Sequence, residues 1–336
     1  MDTHSPSADA SAAAIPINLI GESPAFQDLL DTIRRVADFN VAVSIYGETG
    51  TGKELVARAL HYLSRRSDGP FIPINCGSVP DTLLESELFG HKRGAFTDAR
   101  ADRAGLVQQA EGGTLFLDEI EALSPKGQVS LLRFLQDMQY RRVGGSVLRT
   151  ANVRIVVASN MDLNTMRKRT GEFRDDLYYR LNVLPINIPP LRQRGADIPL
   201  LADHFLKRFR VQFNLPHKHF GANTLAWLAS QPWEGNVREL ENAVQRGLLL
   251  STDSEIHPHH IQAQPGAEAE LPGDVLPFNE AKALAIQKFE RDYLTNLLCT
   301  AAGNVSHAAM QAHKERRALG KLIKKHGINP AQFYRS

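Results

Sequence analysis

Residues 47–53 read GETGTGK. The run before them, VAVSIYG (41–47), is apolar and β-branched, and the run after them, ELVARALHYLS, carries a helical stripe. A glycine-rich turn between a strand and a helix is the setting in which this pattern forms a phosphate loop. Gly47, Gly50 and Gly52 let the backbone approach phosphate oxygens, and the loop N–H groups and helix N-terminus hold negative charge. Lys53 reaches the terminal phosphates. The plainer reading, a glycine-rich turn with a surface lysine, leaves the strand before and the helix after unexplained. The candidate nucleotide-binding residues are therefore Gly47, Glu48, Thr49, Gly50, Thr51, Gly52, Lys53 and Glu54. Glu54 stands where the general motif has Ser or Thr for magnesium. A carboxylate is also a hard oxygen ligand, so a metal is still accommodated, directly or through water.

Downstream, LFLDE (115–119) is an apolar strand ending in two carboxylates. It delivers Asp118 to a magnesium ion and Glu119 to an attacking water. Taken alone, the pair also reads as a helix cap, since IEALSP follows. Together with the phosphate loop it predicts Mg²⁺-dependent hydrolysis of a nucleoside triphosphate, ATP being favoured because no guanine-reading motif is present. Arg174 and Arg180 lie in EFRDDLYYRL (172–181). They read as surface partners of Asp175 and Asp176, or as arginines that meet the terminal phosphate. An arginine of the second kind raises a rate by about 10³–10⁵, roughly 4–7 kcal/mol. Arg238 either closes a helical domain onto nucleotide or pairs with Glu239 or Glu241.

The whole chain has 336 residues, 43% hydrophobic and 23% charged, enough for two or three domains. It has no run of eighteen apolar residues, so no membrane helix is expected. The start, MDTHSPSADASAAAIP, has no basic segment followed by an apolar core and reads as a short disordered tail over 1–18. Cys76 and Cys299 are far apart, which suits a reducing cytoplasm better than a disulfide framework. Net charge is +2, but the segment from Glu280 onward holds ten Lys/Arg against four Asp/Glu. A basic end on a mildly acidic body predicts contact with nucleic acid.

Strand-like runs, VAVSIYG, FIPINC (71–76), GTLFLDEI (113–120) and VRIVVASN (153–160), alternate with helical patterns to about residue 189. That alternation predicts a parallel sheet covered by helices. Residues 190–252 read as helical only. Prolines 258, 265, 272 and 277 mark a linker over 253–278, and a last helical block occupies 279–336. The cluster HPHH (257–260) has no supporting ligand in that linker and is not read as a metal site.

These residues together resemble the AAA+ transcription activators of sigma-54 RNA polymerase, the bacterial enhancer-binding proteins. The resemblance runs from residue 19 onward. It rests on GETGTGKE, NCGSVPDTLLESELFGHKRGAFTDA (75–99), GGTLFLDEI (112–120), RVGG (142–145), FRDDLYYRL (173–181), IPPLRQR (188–194) and WEGNVREL (233–240). Glu54 is itself a mark of this family. The resemblance implies an α/β P-loop ATPase core over 19–189, a helical lid over 190–252 and a C-terminal all-α Fis-type helix-turn-helix domain. It implies that Asn75 restrains Glu119, that Ser159 and Asn160 are a first sensor and Arg238 a second. Arg174 and Arg180 then act on a neighbouring subunit's ATP in a ring, expected to be a hexamer. The same resemblance implies that Gly94, Ala95, Phe96, Thr97, Asp98 and Ala99 form the loop that grips sigma-54, with Arg141–Gly145 on a second loop.

The family's usual tip is Gly-Ala-Phe-Thr-Gly-Ala, and here Asp98 replaces the second glycine. A glycine is required there mainly if φ is positive, a region that Asp and Asn tolerate best among other residues. The tip is expected to work on sigma-54. Two alternatives stay open: a DNA-binding regulator that acts on another polymerase form, suggested by Asp98, and a AAA+ remodeller of some other protein.

NVSHAAMQAHKERRALGKLIKKHGI (304–328) reads as two helices with a tight turn at His313. Leu319, Leu322 and Ile323 form an inward stripe, and Lys314, Arg316, Arg317, Lys321 and Lys324 are available to double-stranded DNA in the major groove. Neutralising four or five phosphates gives a salt slope of about −4 per half-site. Ile286, Phe289, Tyr293 and Leu297 form a further stripe, read as domain packing or as a dimer face. The tail over 1–18 is too short for a regulatory domain, so control by a protein acting in trans or by expression level is expected.

Overall fold

Five short apolar runs assemble into one parallel sheet: β1 (Val43–Tyr46), β2 (Phe71–Asn75), β3 (Thr114–Asp118), β4 (Arg154–Ser159) and β5 (Leu184–Asn187). Their spatial order is β2-β3-β4-β1-β5. Four lie inside the runs marked by the sequence. β5 was not among them, because Pro185 and Asn187 break its apolar pattern; the proline is tolerated because β5 is an edge strand. The computed structural model describes residues 19–169 and 172–262. Of the C-terminal part it describes 287, 290, 293–295, 297, 298, 301, 304–312 and 314–329. The tail over 1–18, most of the linker, Ile286, Phe289, Cys299 and His313 lie outside the described residues.

Alternation along the strands sorts side chains onto two faces. Phe116, Val156 and Ala158 pack with α1 (Pro24–Ala37) and α2 (Lys53–Tyr62). Leu115, Leu117, Ile155 and Val157 pack with α3 (Asp81–Phe89) and α4 (Pro125–Asp137). Helices on both faces are what a parallel sheet requires, and each fully buried Leu or Ile contributes about 1.5–3 kcal/mol. Ser124 caps α4 by accepting the Gly127 N–H at 3.2 Å, with Pro125 in the first turn.

Arg154, only 2% exposed at the start of β4, ties the helices to the sheet. Its guanidinium donates to Ala37 O at 2.6 Å, Val36 O at 3.0 Å and Leu60 O at 3.2 Å. These carbonyls belong to the ends of α1 and α2, where helices present unpaired acceptors and partial negative charge.

After β5 the chain becomes helical. The lid contains α5, here Asp197–Gln212, with α6 (Ala222–Ser230) and α7 (Asn236–Leu250) around a second core that includes Phe205, Leu206, Trp233, Leu240 and Val244. Residues 255–261, expected in the linker, are part of it. Glu255–Ile256 pairs in parallel with His219–Phe220, and Ile256 and Ile261 are buried in the lid core. Buried Lys218 closes this end by donating to Ser251 O and Asp253 O, both at 2.5 Å.

The chain divides into two compact units, one ending at Ala263 and one starting at Gln264. In the second, α8 (Val305–Gln311) and α9 (Arg316–Lys325) bury Ala308, Ala309, Leu319 and Ile323 against Leu294 and Leu298. Asn304 caps α8, accepting from Ser306 N at 3.0 Å and His307 N at 3.2 Å. Among the described residues, no helix is long and apolar enough to cross a membrane.

Candidate functional site

Strand register gathers the candidate residues on one edge of the sheet. Asn75 pairs with Asp118 at the carboxyl ends of β2 and β3, and Tyr46 pairs with Ser159 at those of β1 and β4. Ligands of open α/β sheets bind at this edge. The phosphate loop follows β1 directly. Gly50 has φ +80°, and a Cβ there would lie 2.3 Å from Gly235 O, so only glycine fits. Lys53 opens α2 and is 8% exposed. Its ammonium donates to Gly47 O at 2.9 Å, to Glu48 O at 3.2 Å and to the Asn160 carboxamide oxygen. Thr49 Oγ1 donates to the same oxygen at 3.3 Å. Burial depresses the Lys53 ammonium below its ordinary value, against the pull of Asp118, Glu121 and Glu119.

Asp118 ends β3, and burial pushes its carboxyl above the usual carboxylate range, with the Glu119 N–H and Lys53 opposing. Glu119 follows at φ 53° and ψ 48°, a left-handed conformation rare outside glycine and frequent at functional sites. Its Oε2 lies 2.6 Å from where a Cβ on Gly77 would stand, so Gly77 makes room for this carboxylate. Asn75 sits beside them, and its oxygen accepts the Ser78 N–H at 3.0 Å. The Ser159 hydroxyl turns onto its own chain, donating to Met161 O at 2.6 Å. Ser159 meets the phosphate loop through its carbonyl, which accepts the Gly47 N–H at 3.3 Å, whereas Asn160 meets it through its side chain. Glu54 bonds Arg58 at 2.6 Å, and that guanidinium lies over Phe71. The structure therefore engages the Glu54 carboxylate along α2.

Sequence reasoning missed Glu121. Its Oε1 accepts the Asn160 N–H at 2.9 Å, and its Oε2 is buried without a hydrogen-bond partner. Magnesium takes hard oxygen ligands and commonly keeps waters and substrate phosphates in its shell. The donor set here fits that ion, with the Asp118 carboxylate at the strand end and an unsatisfied carboxylate oxygen nearby. Among the described residues, no group of three His, Cys, Asp or Glu side chains forms a metal cage.

Arg192 and Asn236, also unassigned from sequence, bring the lid onto the loop. Arg192 grips Glu48 through two bonds, at 2.7 and 2.6 Å. Asn236 donates to Thr49 O at 3.1 Å and to Glu48 Oε2 at 3.2 Å, and Arg238 N donates to Gly50 O at 3.3 Å. The Arg192 hydrogen bonds, with Asn236 second, hold the Glu48 carboxyl at about 2. The signals for both residues were faint: a turn asparagine and one arginine among several.

Arg174 and Arg180 make bonds within their own chain. Arg174 forks onto Asp176 at 3.0 and 2.7 Å. Arg180 donates to Leu135 O at 2.9 Å and Gln136 O at 2.8 Å at the end of α4.

The 91–100 stretch forms a hairpin-like loop closed by Gly94 N donating to Ala99 O at 2.8 Å. The half-buried Phe96 ring meets His91 edge-on, 4.9 Å between centroids, and Ser86 Oγ lies 2.8 Å from His91 Nδ1. Thr97 and Asp98 are exposed. Asp98 is not among the positive-φ residues. The left-handed backbone considered as the reason for a glycine there is absent. Asp102 binds Lys92 Nζ at 2.5 Å and the Arg93 N–H at 2.9 Å, and it faces Arg142 at 3.8 Å on the second loop. Lys92 N donates to Val143 O at 2.9 Å, so the two loops are held together.

In the C-terminal unit Lys314, Arg316, Arg317, Lys321 and Lys324 are all exposed.

Residues 19–187 match the family described as the sigma-54 interaction domain, and residues 192–272 match the AAA+ ATPase lid domain. The chain is 43% identical over 318 residues to the nitrogen fixation protein VnfA of Azotobacter vinelandii, covering 94% of this chain and 60% of VnfA. It is 44% identical over 313 residues to the transcriptional regulatory protein ZraR of Salmonella typhimurium, covering 92% of this chain and 69% of ZraR. The crystal structure of NtrX from Brucella abortus in complex with ATP superimposes with a TM-score of 0.67 at 35% identity, covering 93% of this chain and 69% of NtrX.

Proposed function

The chain belongs to the sigma-54 interaction domain family, and from that premise we propose that it is an ATP-driven activator of sigma-54 transcription. The observation that carries the reading is the convergence of Lys53, Asp118, Glu119 and Asn160 at the carboxyl edge of the sheet, next to a lid clamped on the phosphate loop. NtrX, which shares this fold, was crystallised with ATP.

In the proposed reaction Lys53 leaves the carbonyls of Gly47 and Glu48 for the terminal phosphates. Asp118 would hold magnesium, which when bound neutralises phosphate charge. Glu119 orients the attacking water and takes its proton, while Asn75 restrains Glu119 until the nucleotide is in place. Asn160 and Arg238 sense the phosphates from the sheet and the lid. Arg174 would exchange Asp176, and Arg180 the α4 carbonyls, for the terminal phosphate of a neighbouring subunit, which makes a ring the active assembly.

Phe96 and Thr97 would carry the resulting movement to sigma-54. The two-loop platform supports this, because Asp102 and Val143 anchor the base of the loop while Thr97 is exposed beside Phe96, whose ring rests on His91. The five exposed cations of the second unit would meet phosphates or bases of double-stranded DNA upstream of the promoter. The test is ATP hydrolysis by the purified protein together with open-complex formation by sigma-54 RNA polymerase at a promoter bearing its binding site. Hydrolysis without open complexes would mean that the chain acts on another polymerase form or on some other protein.

A further inference from the structure

Glu121 lies two residues beyond Glu119 in the short helical turn Ile120–Ala122. The left-handed backbone at Glu119 reverses the chain there and brings this carboxylate over the end of the neighbouring strand β4. Its Oε1 accepts the Asn160 N–H at 2.9 Å. That amide stands just past the last paired residue of β4, Ser159, where the sheet ladder no longer supplies an acceptor. The Asn160 side chain in turn accepts from Lys53 Nζ and from Thr49 Oγ1. A carboxylate acceptor makes a bond roughly twice as strong as a neutral one.

We infer that Glu121 is a positioning residue for ATP hydrolysis: it fixes the backbone of Asn160, so that the Asn160 carboxamide is presented to Lys53 and to the phosphate loop. The inference rests on the ATPase reading of the site. This arrangement links three elements by hydrogen bonds, namely the turn after β3, the end of β4 and the phosphate loop. The other oxygen of Glu121 is buried and unpartnered, so the carboxylate is not held there by any other side chain. Its charge also reaches Lys53, more strongly than that of Glu119 does.

Steady-state ATP hydrolysis and binding of a fluorescent ADP analogue, measured on the full chain, test this. Glu121→Ala is expected to lower kcat about tenfold, the worth of one charge-assisted hydrogen bond, with analogue affinity within about threefold of the parent. Glu121→Gln keeps an acceptor for the Asn160 N–H and is expected to recover most of the loss. In an Asn160→Ala background, Glu121→Ala should add less than about a twofold further loss, because both changes break the same link. Parental kcat in Glu121→Ala, a Gln variant no better than Ala, or losses that multiply in the double variant would each overturn the inference. Should Glu121→Ala fail to fold, Glu121→Met, of similar length but with no oxygen acceptor, takes its place in the same cycle with Asn160→Ala and is judged on the same criterion. A parent that hydrolyses no ATP would instead refute the reading of the site itself.

Discussion

Asn236 of the lid donates from its carboxamide to the Thr49 carbonyl of the phosphate loop at 3.1 Å. The same side chain accepts the Leu191 N–H at 2.8 Å, and the residue is fully buried with φ +55°. Asn236 thus ties lid to loop, beside Arg192, from a backbone conformation that costs about 1–2 kcal/mol for most residues. Asn236→Ala should destabilise the ATPase unit by about 2–4 kcal/mol in urea unfolding, through buried groups left unpaired. Asn236→Gly loses the same bonds but tolerates the backbone, so it should cost about 1 kcal/mol less. Equal losses would show that the backbone conformation carries no strain.

The Glu48–Arg192 pair sets the acid limit of this docking. The carboxyl is held at about 2, below its ordinary 4.5, by Arg192 and then Asn236. A depressed carboxylate contributes fully above its unfolded value and loses that contribution as pH falls towards 2. Lid docking should thus be flat from pH 8 to 5. Both tryptophans, Trp227 and Trp233, lie in the lid and report on it. Their emission is expected to stay constant over that range in the parent. A transition centred above pH 5 that vanishes in Glu48→Gln would show that the pair titrates in the physiological range.

Arg194 and Asp197 form a buried pair, 2.8 Å apart, with side chains 2% and 0% exposed. Asp197 also accepts from Ser23 Oγ and from the N–H groups of Glu22 and Ser23, which fastens the start of α1 to the lid. Arg194→Met leaves the carboxylate buried without its cation and should cost about 3–5 kcal/mol, read by thermal unfolding. A loss under about 1 kcal/mol would mean that water reaches the pair.

Asp98 has no left-handed backbone to relieve. Asp98→Gly and Asp98→Asn should therefore change sigma-54-dependent open-complex formation alike, since both act by removing one exposed charge. A gain with glycine alone would show that loop flexibility is what Asp98 restricts.

The sheet, its phosphate loop and its acidic edge were legible because each is local: strand, turn and helix adjoin within about twenty residues of sequence. α7 runs over Asn236–Leu250 as its pattern predicts. β5 was hidden because Pro185 and Asn187 interrupt it, and only pairing with β1 makes it a strand. Glu255–Ile256 was hidden for a similar reason, its partner lying at His219–Phe220. Glu121 and Asn236 act on residues 39 and 187 positions away, and no spacing rule reaches so far. Arg174 and Arg180 were read either as partners of Asp175 and Asp176 or as arginines that meet a terminal phosphate; within one chain Arg174 binds Asp176 and Arg180 binds the carbonyls that end α4. What they would meet in an assembly is a property of two chains.

The most direct test of the account is open-complex formation at a sigma-54 promoter by the parent and by Glu119→Gln, each with ATP. Loss of the base should abolish hydrolysis while ATP still binds. Open complexes are expected with the parent and none above background with the variant. Equal promoter opening by the two would contradict it, because the movement of the Phe96 loop would then not depend on the chemistry at the phosphate site.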